Sequence, residues 1–164
     1  MFALFRATPF VALLFSLSLS AQPAPDFQVT HAEQSLHRLS QDKVVYVDFW
    51  ASWCGPCRHS FPFMNELQAE FADQGLAIVA INVDVDPADA LPFLDKYPAT
   101  FPVQYDPDGV IAAAFAVPGM PTSYLIKDGE ILVRHIGFRK SQSAALKAEI
   151  GQYLDAAASE PPSR

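Results

Sequence analysis

An almost unbroken apolar run, Lys43-Val44-Val45-Tyr46-Val47-Asp48-Phe49-Trp50-Ala51, is the strongest hydrophobic signal in the chain. β-Branched and aromatic residues dominate it and Asp48 alone interrupts it, so it predicts a strand buried on both faces. The period then changes. Phe63, Met64, Leu67 and Phe71 recur at helical intervals. They predict a helix from about Cys54, kinked at Pro62 and ended by Gly75. Leu76 to Val83 is a second apolar run of strand length, and Asp89 to Tyr97 reads as a short helix with Pro92 tolerated in its first turn. Val110 to Phe115 is a further helical stretch. Ser123 to Ile126 and Glu130 to Ile136 flank Lys127-Asp128-Gly129, and Asp-Gly is a hairpin turn signal. Ser143 to Leu154 closes the pattern as an amphipathic helix carrying Leu146, Ile150 and Leu154.

Parallel strands joined by helices, followed by a hairpin and a last helix, predict an α/β sheet with an antiparallel pair on one edge. The segment before the first long strand is mixed: Phe27 to Thr30 favours a strand, whereas Ala32, Leu36 and Leu39 favour a helix. The ends fall outside this pattern. Arg6, an apolar stretch from Phe10 to Leu19 and small residues at Ser18, Ser20 and Ala21 follow the order of a secretory signal, with cleavage after Ser20 or Ala21. An uncleaved anchor is the alternative, but Pro9 and Gln22 bracket fewer than the ~20 apolar residues of a spanning helix. Lipid attachment there is excluded, since no cysteine follows. Gln22 to Pro25 reads as an extended arm, and Ala156 to Arg164 as a frayed end. The chain thus divides into a signal at 1–21, one domain at 22–158 and a tail at 159–164.

Composition narrows the function. Lys and Arg total 11 against 18 Asp and Glu, a formal charge of -7. That balance argues against nucleic-acid binding, whose affinity comes largely from cations meeting phosphates. Two cysteines make no disulfide framework and cannot by themselves close a four-ligand zinc site. Attention therefore falls on Trp53-Cys54-Gly55-Pro56-Cys57, between the buried strand and the helix. Unpaired N–H groups and the positive helix end there stabilise a thiolate at Cys54, lowering its pKa below the free value of about 8.5. Two intervening residues bring the sulfurs close enough to bridge. Cys54, nearer the strand, is expected to be the exposed nucleophile, and Cys57, one turn into the helix, the resolving thiol. Pro56 stiffens the turn.

A static bridge would close too small a loop to constrain the unfolded chain much. Zinc would need two more ligands from His31, His37, His59 or His135, none at suitable spacing. Redox chemistry is the better reading. Asp84, Asp86 and Asp89 invite a calcium reading but lack that loop's glycine and terminal glutamate.

The segment Val47-Asp48-Phe49-Trp50-Ala51-Ser52-Trp53-Cys54-Gly55-Pro56-Cys57-Arg58 resembles the active-site segment of the thioredoxin superfamily. Phe61-Pro62-Phe63-Met64, the exported context and Phe101-Pro102-Val103-Gln104-Tyr105-Asp106 are similar to its TlpA/ResA-like branch of extracytoplasmic reductases. The likeness runs from about Lys43 to Leu154. It implies a thioredoxin fold. It also implies that Gly119-Met120-Pro121-Thr122 is a cis-proline loop beside the cysteines, with the Met120 backbone pairing with an extended substrate segment. Trp53, Gly55, Pro56, Met120 and Pro121 are then the expected substrate contacts.

The resemblance further implies that Asp48 lies beneath Cys57 and serves as its general acid/base. A lone acid in a buried strand should have a raised pKa. Many TlpA-like sequences have asparagine here, so this position is closer to thioredoxin, while thioredoxin's neighbouring lysine is replaced by Ala80. Two glutamates common in the branch are here Val85 and Ser60. Arg58 and His59 read as solvated first-turn residues, Trp50 as packing and Trp53 as a possible gate.

The expected activity is reduction of client-protein disulfides in the periplasm by a monomer without organic cofactor or metal. The resemblance places this in cytochrome c maturation or disulfide repair, with recharging by a membrane electron donor of the DsbD/CcdA type. The rivals are a periplasmic oxidase or isomerase and a non-catalytic peptide-binding module.

Overall fold

The computed structural model describes residues 22–159; the secretory-signal reading and the last five residues lie outside them. The strand over Val44–Trp50 (β4) is buried at all seven positions because both its faces are covered. Its partner Leu76–Asn82 (β5) runs parallel to it, with Asp48 opposite Ala80, and Val103–Tyr105 (β6) pairs in parallel with β5. On the other side, Thr122–Lys127 (β7) is antiparallel to β4 and pairs with Glu130–Ile136 (β8). Gln22–Pro23 (β1) adds to the outer edge of β8, giving the order β1-β8-β7-β4-β5-β6. Gln28–Val29 (β2) and Gln34–Ser35 (β3) make a separate two-stranded ribbon.

Alternation along β4 sorts its side chains into two cores. Val44, Tyr46 and Trp50 face the helices Cys57–Phe71 (α2) and Ser143–Ser159 (α5), whose Phe61, Met64, Leu67, Ile150 and Leu154 fill the space. Phe93, from Ala90–Lys96 (α3), joins them. Val45, Val47 and Phe49 face the opposite layer, built from Leu36–Asp42 (α1) and Val110–Ala114 (α4). Phe49, Phe115 and Tyr124 stack there, with centroids 5.0–5.9 Å apart, and the Tyr124 hydroxyl donates to the Phe115 carbonyl.

Several sequence expectations need correction. The helix after β4 starts at Cys57, not Cys54, because Cys54, Gly55 and Pro56 are taken up in a turn closed by Cys57 N–H on the Cys54 carbonyl at 3.2 Å. Cys57 is therefore the first helical residue rather than one turn inside. The helix continues through Pro62 to Phe71, and a short 3-10 turn leads to Gly75 at φ 95°. Ala32 belongs to a 3-10 turn, and α1 begins only at Leu36, where Ser35 accepts the Arg38 N–H. The arm at Gln22–Pro23 is an edge strand, and Ala24, bonded to the Gly129 carbonyl at 2.8 Å, is buried. β6 has no counterpart in the sequence pattern, because a three-residue, half-exposed edge strand has no periodicity to read. The last helix runs to Ser159 instead of fraying from Ala156. Its terminal alanines are strong helix formers, and Ala157 packs on the core.

The β7–β8 turn shows sequence chemistry acting locally. Asp128 and Gly129 have φ of 52° and 78°, the left-handed pair that a two-residue hairpin requires. Ser40 of α1 anchors it, accepting the Gly129 N–H on its hydroxyl and the Asp128 N–H on its carbonyl. Gly129→Ala is expected to cost about 1–2 kcal/mol, because the added Cβ disfavours that backbone. Thermal unfolding followed by circular dichroism should show a melting point lower by about 2–8 °C. An unchanged value would mean that the turn relaxes freely.

Candidate active site

β4 leaves the core at Trp50 and Ala51, both fully buried. The Trp50 indole is wedged between Phe61 and Phe93, with centroids at 4.7 and 4.8 Å, so it packs rather than gates. Val83 N–H bonds the Trp50 carbonyl at 2.9 Å, and Cys54 N–H folds back on the Ala51 carbonyl at 3.0 Å. That fold-back sets the two cysteines at the sheet end. Their sulfurs are bonded at 2.02 Å, with the Cα atoms 5.4 Å apart.

Cys54 is not the exposed residue that the sequence suggested. It is 5% accessible and Cys57 is fully buried, because the turn tucks both into the α2-side core. The order of access is kept but its scale is small. Exposure belongs to the neighbours: Trp53 is 69% accessible, and Gly55, Pro56, Arg58 and His59 are exposed. The first N–H groups of α2 gather at this end, where a helix favours negative charge.

The second loop arrives from the antiparallel side. Thr122 lies opposite Phe49, so Pro121 and Met120 continue alongside the strand exit that leads to Cys54. The Met120–Pro121 peptide is cis. The Pro121 carbonyl accepts the Gly137 N–H at 2.7 Å, and the Thr122 hydroxyl donates to the Gly119 carbonyl at 2.6 Å. Pro121 is buried and Met120 half-buried.

Asp48 sits on the same face of β4 as Tyr46 and Trp50, between Ala80 and Ser123. It is 1% accessible, and burial holds its carboxyl well above the ordinary 3.8. Among the described residues its Oδ2 and the Trp50 Nε1 are the buried side-chain atoms without hydrogen-bond partners. Ala80 puts no cation beside it. Burial also pushes Tyr46 up, the Asp48 charge adds to this, and the Ser123 hydroxyl opposes it.

Ser60 is buried and donates to the Cys57 carbonyl at 3.2 Å, whereas Val85 is 86% exposed on the loop after β5. The acidic cluster acts within the chain. Asp86 accepts the Ala88 N–H, and Asp84 accepts from Ser52 and Asn82. The tie from Asp84 to Ser52 is absent from the sequence reading. The sequence signal for it was faint: a lone acid two residues after a buried strand.

A Redoxin family model matches residues 19–150. A ResA thiol-disulfide oxidoreductase of Oceanobacillus iheyensis is 40% identical over 115 residues, covering 66% of this chain. This chain spans 60% of that relative's length. A ResA protein of Bacillus thuringiensis subsp. konkukian is 37% identical over 134 residues, 80% of this chain and 74% of the relative. Among solved structures, a putative thiol:disulfide interchange protein DsbE from Chlorobium tepidum superposes with TM-score 0.75 at 44% identity, covering 82% of this chain and 96% of the other. A thioredoxin-like sheet with a cysteine pair at the exit of its central strand, matched over most of its length, places this chain in the Redoxin family, among its TlpA/ResA-like members.

Proposed function

We propose that this chain is an exported thiol–disulfide oxidoreductase that reduces protein disulfides. The observation that carries this reading is the Cys54–Cys57 bridge between the end of β4 and the first residue of α2, with the Met120–Pro121 loop alongside. The bridge is the oxidised form. In the reduced form, the Cys54 thiolate attacks one sulfur of a client disulfide. A Cys54–client disulfide forms as the client's other sulfur leaves as a thiolate. Cys57, deprotonated with Asp48 as the acceptor, then attacks the Cys54 sulfur. The client departs with both thiols, and the electron pair that reduced it leaves Cys54 and Cys57 bridged. The sulfurs carry the electrons, so the cycle calls for no organic cofactor or metal.

Trp53, Gly55 and Pro56 offer exposed surface around the bridge, and the Met120 backbone would hold an extended client segment. A reductase in an oxidising compartment must be recharged, and a membrane electron donor of the DsbD/CcdA type fits that need. Periplasmic action in cytochrome c maturation or disulfide repair is the corresponding role. The protein would act there as a monomer. No helix among the described residues is long and apolar enough to cross a membrane.

The direction of electron flow is tested by the reduction potential of the mature domain, equilibrated in graded thiol/disulfide buffers. A value near or below ~-250 mV is expected, close to ~-270 mV for thioredoxin with the same Gly-Pro spacer. A value of ~-150 mV or higher would overturn the reductase reading in favour of a disulfide donor or isomerase.

A further inference from the structure

We propose that Asp84 is a positioning residue of the redox site. Its buried carboxylate holds the Ser52–Trp53–Cys54 turn and, as a fixed negative charge beside that turn, biases the cysteine pair toward the disulfide. The dithiol is thereby made the stronger reductant. The inference rests on the thiol–disulfide reading above.

Three buried aspartates need a physical account, and two have one. Asp106 caps α4 through the Ile111 and Ala112 N–H groups, and Asp48, on β4 between Ala80 and Ser123, is the proton acceptor of the cycle proposed above. Asp84, 3% accessible, belongs to neither arrangement. It reaches from the β5 exit to the β4 exit. The Ser52 N–H donates to both its oxygens, at 2.9 and 3.2 Å, and the Ser52 hydroxyl to Oδ1 at 3.0 Å. Asn82, itself fully buried, donates its amide to Oδ2 at 2.8 Å and accepts the Asp84 N–H at 3.2 Å. The loop that carries Trp53 and Cys54 is thus tied to the strand beside it by one side chain.

Every one of those donors is neutral. Hydrogen bonds from neutral groups orient and partly solvate the carboxylate, but they leave its charge in place, and the charge is felt more strongly in a buried site. Ser52 precedes the nucleophile by two residues, and Cys54 folds back onto Ala51. The charge is therefore held on Ser52, two residues along the same turn from Cys54, whose sulfur becomes the thiolate. The disulfide is uncharged there and the reduced pair is anionic, so a neighbouring carboxylate raises the free energy of the reduced form alone. Reduction becomes harder, and the dithiol gives up its electrons more readily.

The experiment equilibrates wild type, Asp84→Asn and Ser52→Ala with reduced and oxidised glutathione at pH 8. The reaction is one protein disulfide plus two glutathione thiols giving one dithiol and one glutathione disulfide, with melting temperature measured in parallel. Asp84→Asn keeps the shape and removes the charge, so its equilibrium should move roughly tenfold toward the dithiol, a potential ~30 mV less negative. Ser52→Ala keeps the charge and removes one donor that compensates it. Its equilibrium should move the opposite way, by about twofold to threefold (~10–15 mV). A role limited to holding the turn would lower both melting temperatures and shift the two equilibria together or not at all, and that result overturns the proposal. If Asp84→Asn does not fold, the sign of the Ser52→Ala shift decides alone. A wild-type bridge that fails to exchange with glutathione overturns the redox reading and this inference with it.

Discussion

Cys57→Ser is expected to stop turnover and to leave the protein covalently joined to its client. The bridge in the structure joins Cys54 to Cys57, and Cys57 is fully buried at the first residue of α2. No other protein sulfur can take its place, since the chain has two cysteines. With Cys57 replaced, the Cys54 thiolate can still open a client disulfide, but nothing displaces the client from the mixed disulfide that results. Cys54→Ser should remove the first step as well, leaving no adduct. Both substitutions should reduce catalysed disulfide reduction by at least ~10⁴-fold, the scale seen when a covalent nucleophile is deleted. Non-reducing electrophoresis distinguishes them: a higher-mass, thiol-sensitive band for Cys57→Ser and none for Cys54→Ser. Unchanged biological function in a Cys54→Ser, Cys57→Ser double variant would instead favour the non-catalytic binding module.

Asp48→Asn is expected to make the protein more stable and slower. Asp48 is fully buried, has one oxygen without a partner and lacks a nearby cation, so its charged form is penalised. The sign follows from linkage. Its folded-state pKa lies above the unfolded value of 3.8, so the folded chain holds the proton more tightly. The stability this contributes is complete below 3.8 and is lost as pH rises through the raised folded-state value. Asparagine has no such loss. Wild type and variant should therefore differ little near pH 4. At pH 8–9 the variant should be more stable by about 1–3 kcal/mol, or about 3–9 °C in Tm. Calorimetry at the two pH values checks this, and an equal difference at both would exclude titration of Asp48 as the cause. Resolution of the mixed disulfide should slow by about 10²-fold if Asp48 takes the Cys57 proton. The acid would then be kept in the core for chemistry at the expense of stability.

Much of the site can be read locally. Trp53-Cys54-Gly55-Pro56-Cys57 lies between a strand and a helix because apolar runs and helical spacing are written into adjacent residues. The Asp128-Gly129 turn is equally local, since those residue types suit positive φ. The helix-end misreadings are local, whereas those at the site concern contacts with other segments. Cys54 looks exposed in sequence because nothing nearby says that the turn folds back into the α2-side core. The tie from Asp84 to the turn is invisible in sequence because one of its donors, Ser52, lies 32 residues away. β6 and β1 are too short to declare themselves and exist through their neighbours' open edges.

The long strands and helices, the buried central strand, the cysteine pair and the hairpin therefore follow from side-chain period and turn chemistry over a few residues. Long-range packing sets what surrounds the sulfurs. It brings Met120–Pro121 beside the exit of β4, leaves Asp48 buried with an unpaired oxygen, and ties Asp84 to the turn before Cys54. Strand register and burial set those relations, and both depend on which distant surfaces meet when the sheet assembles.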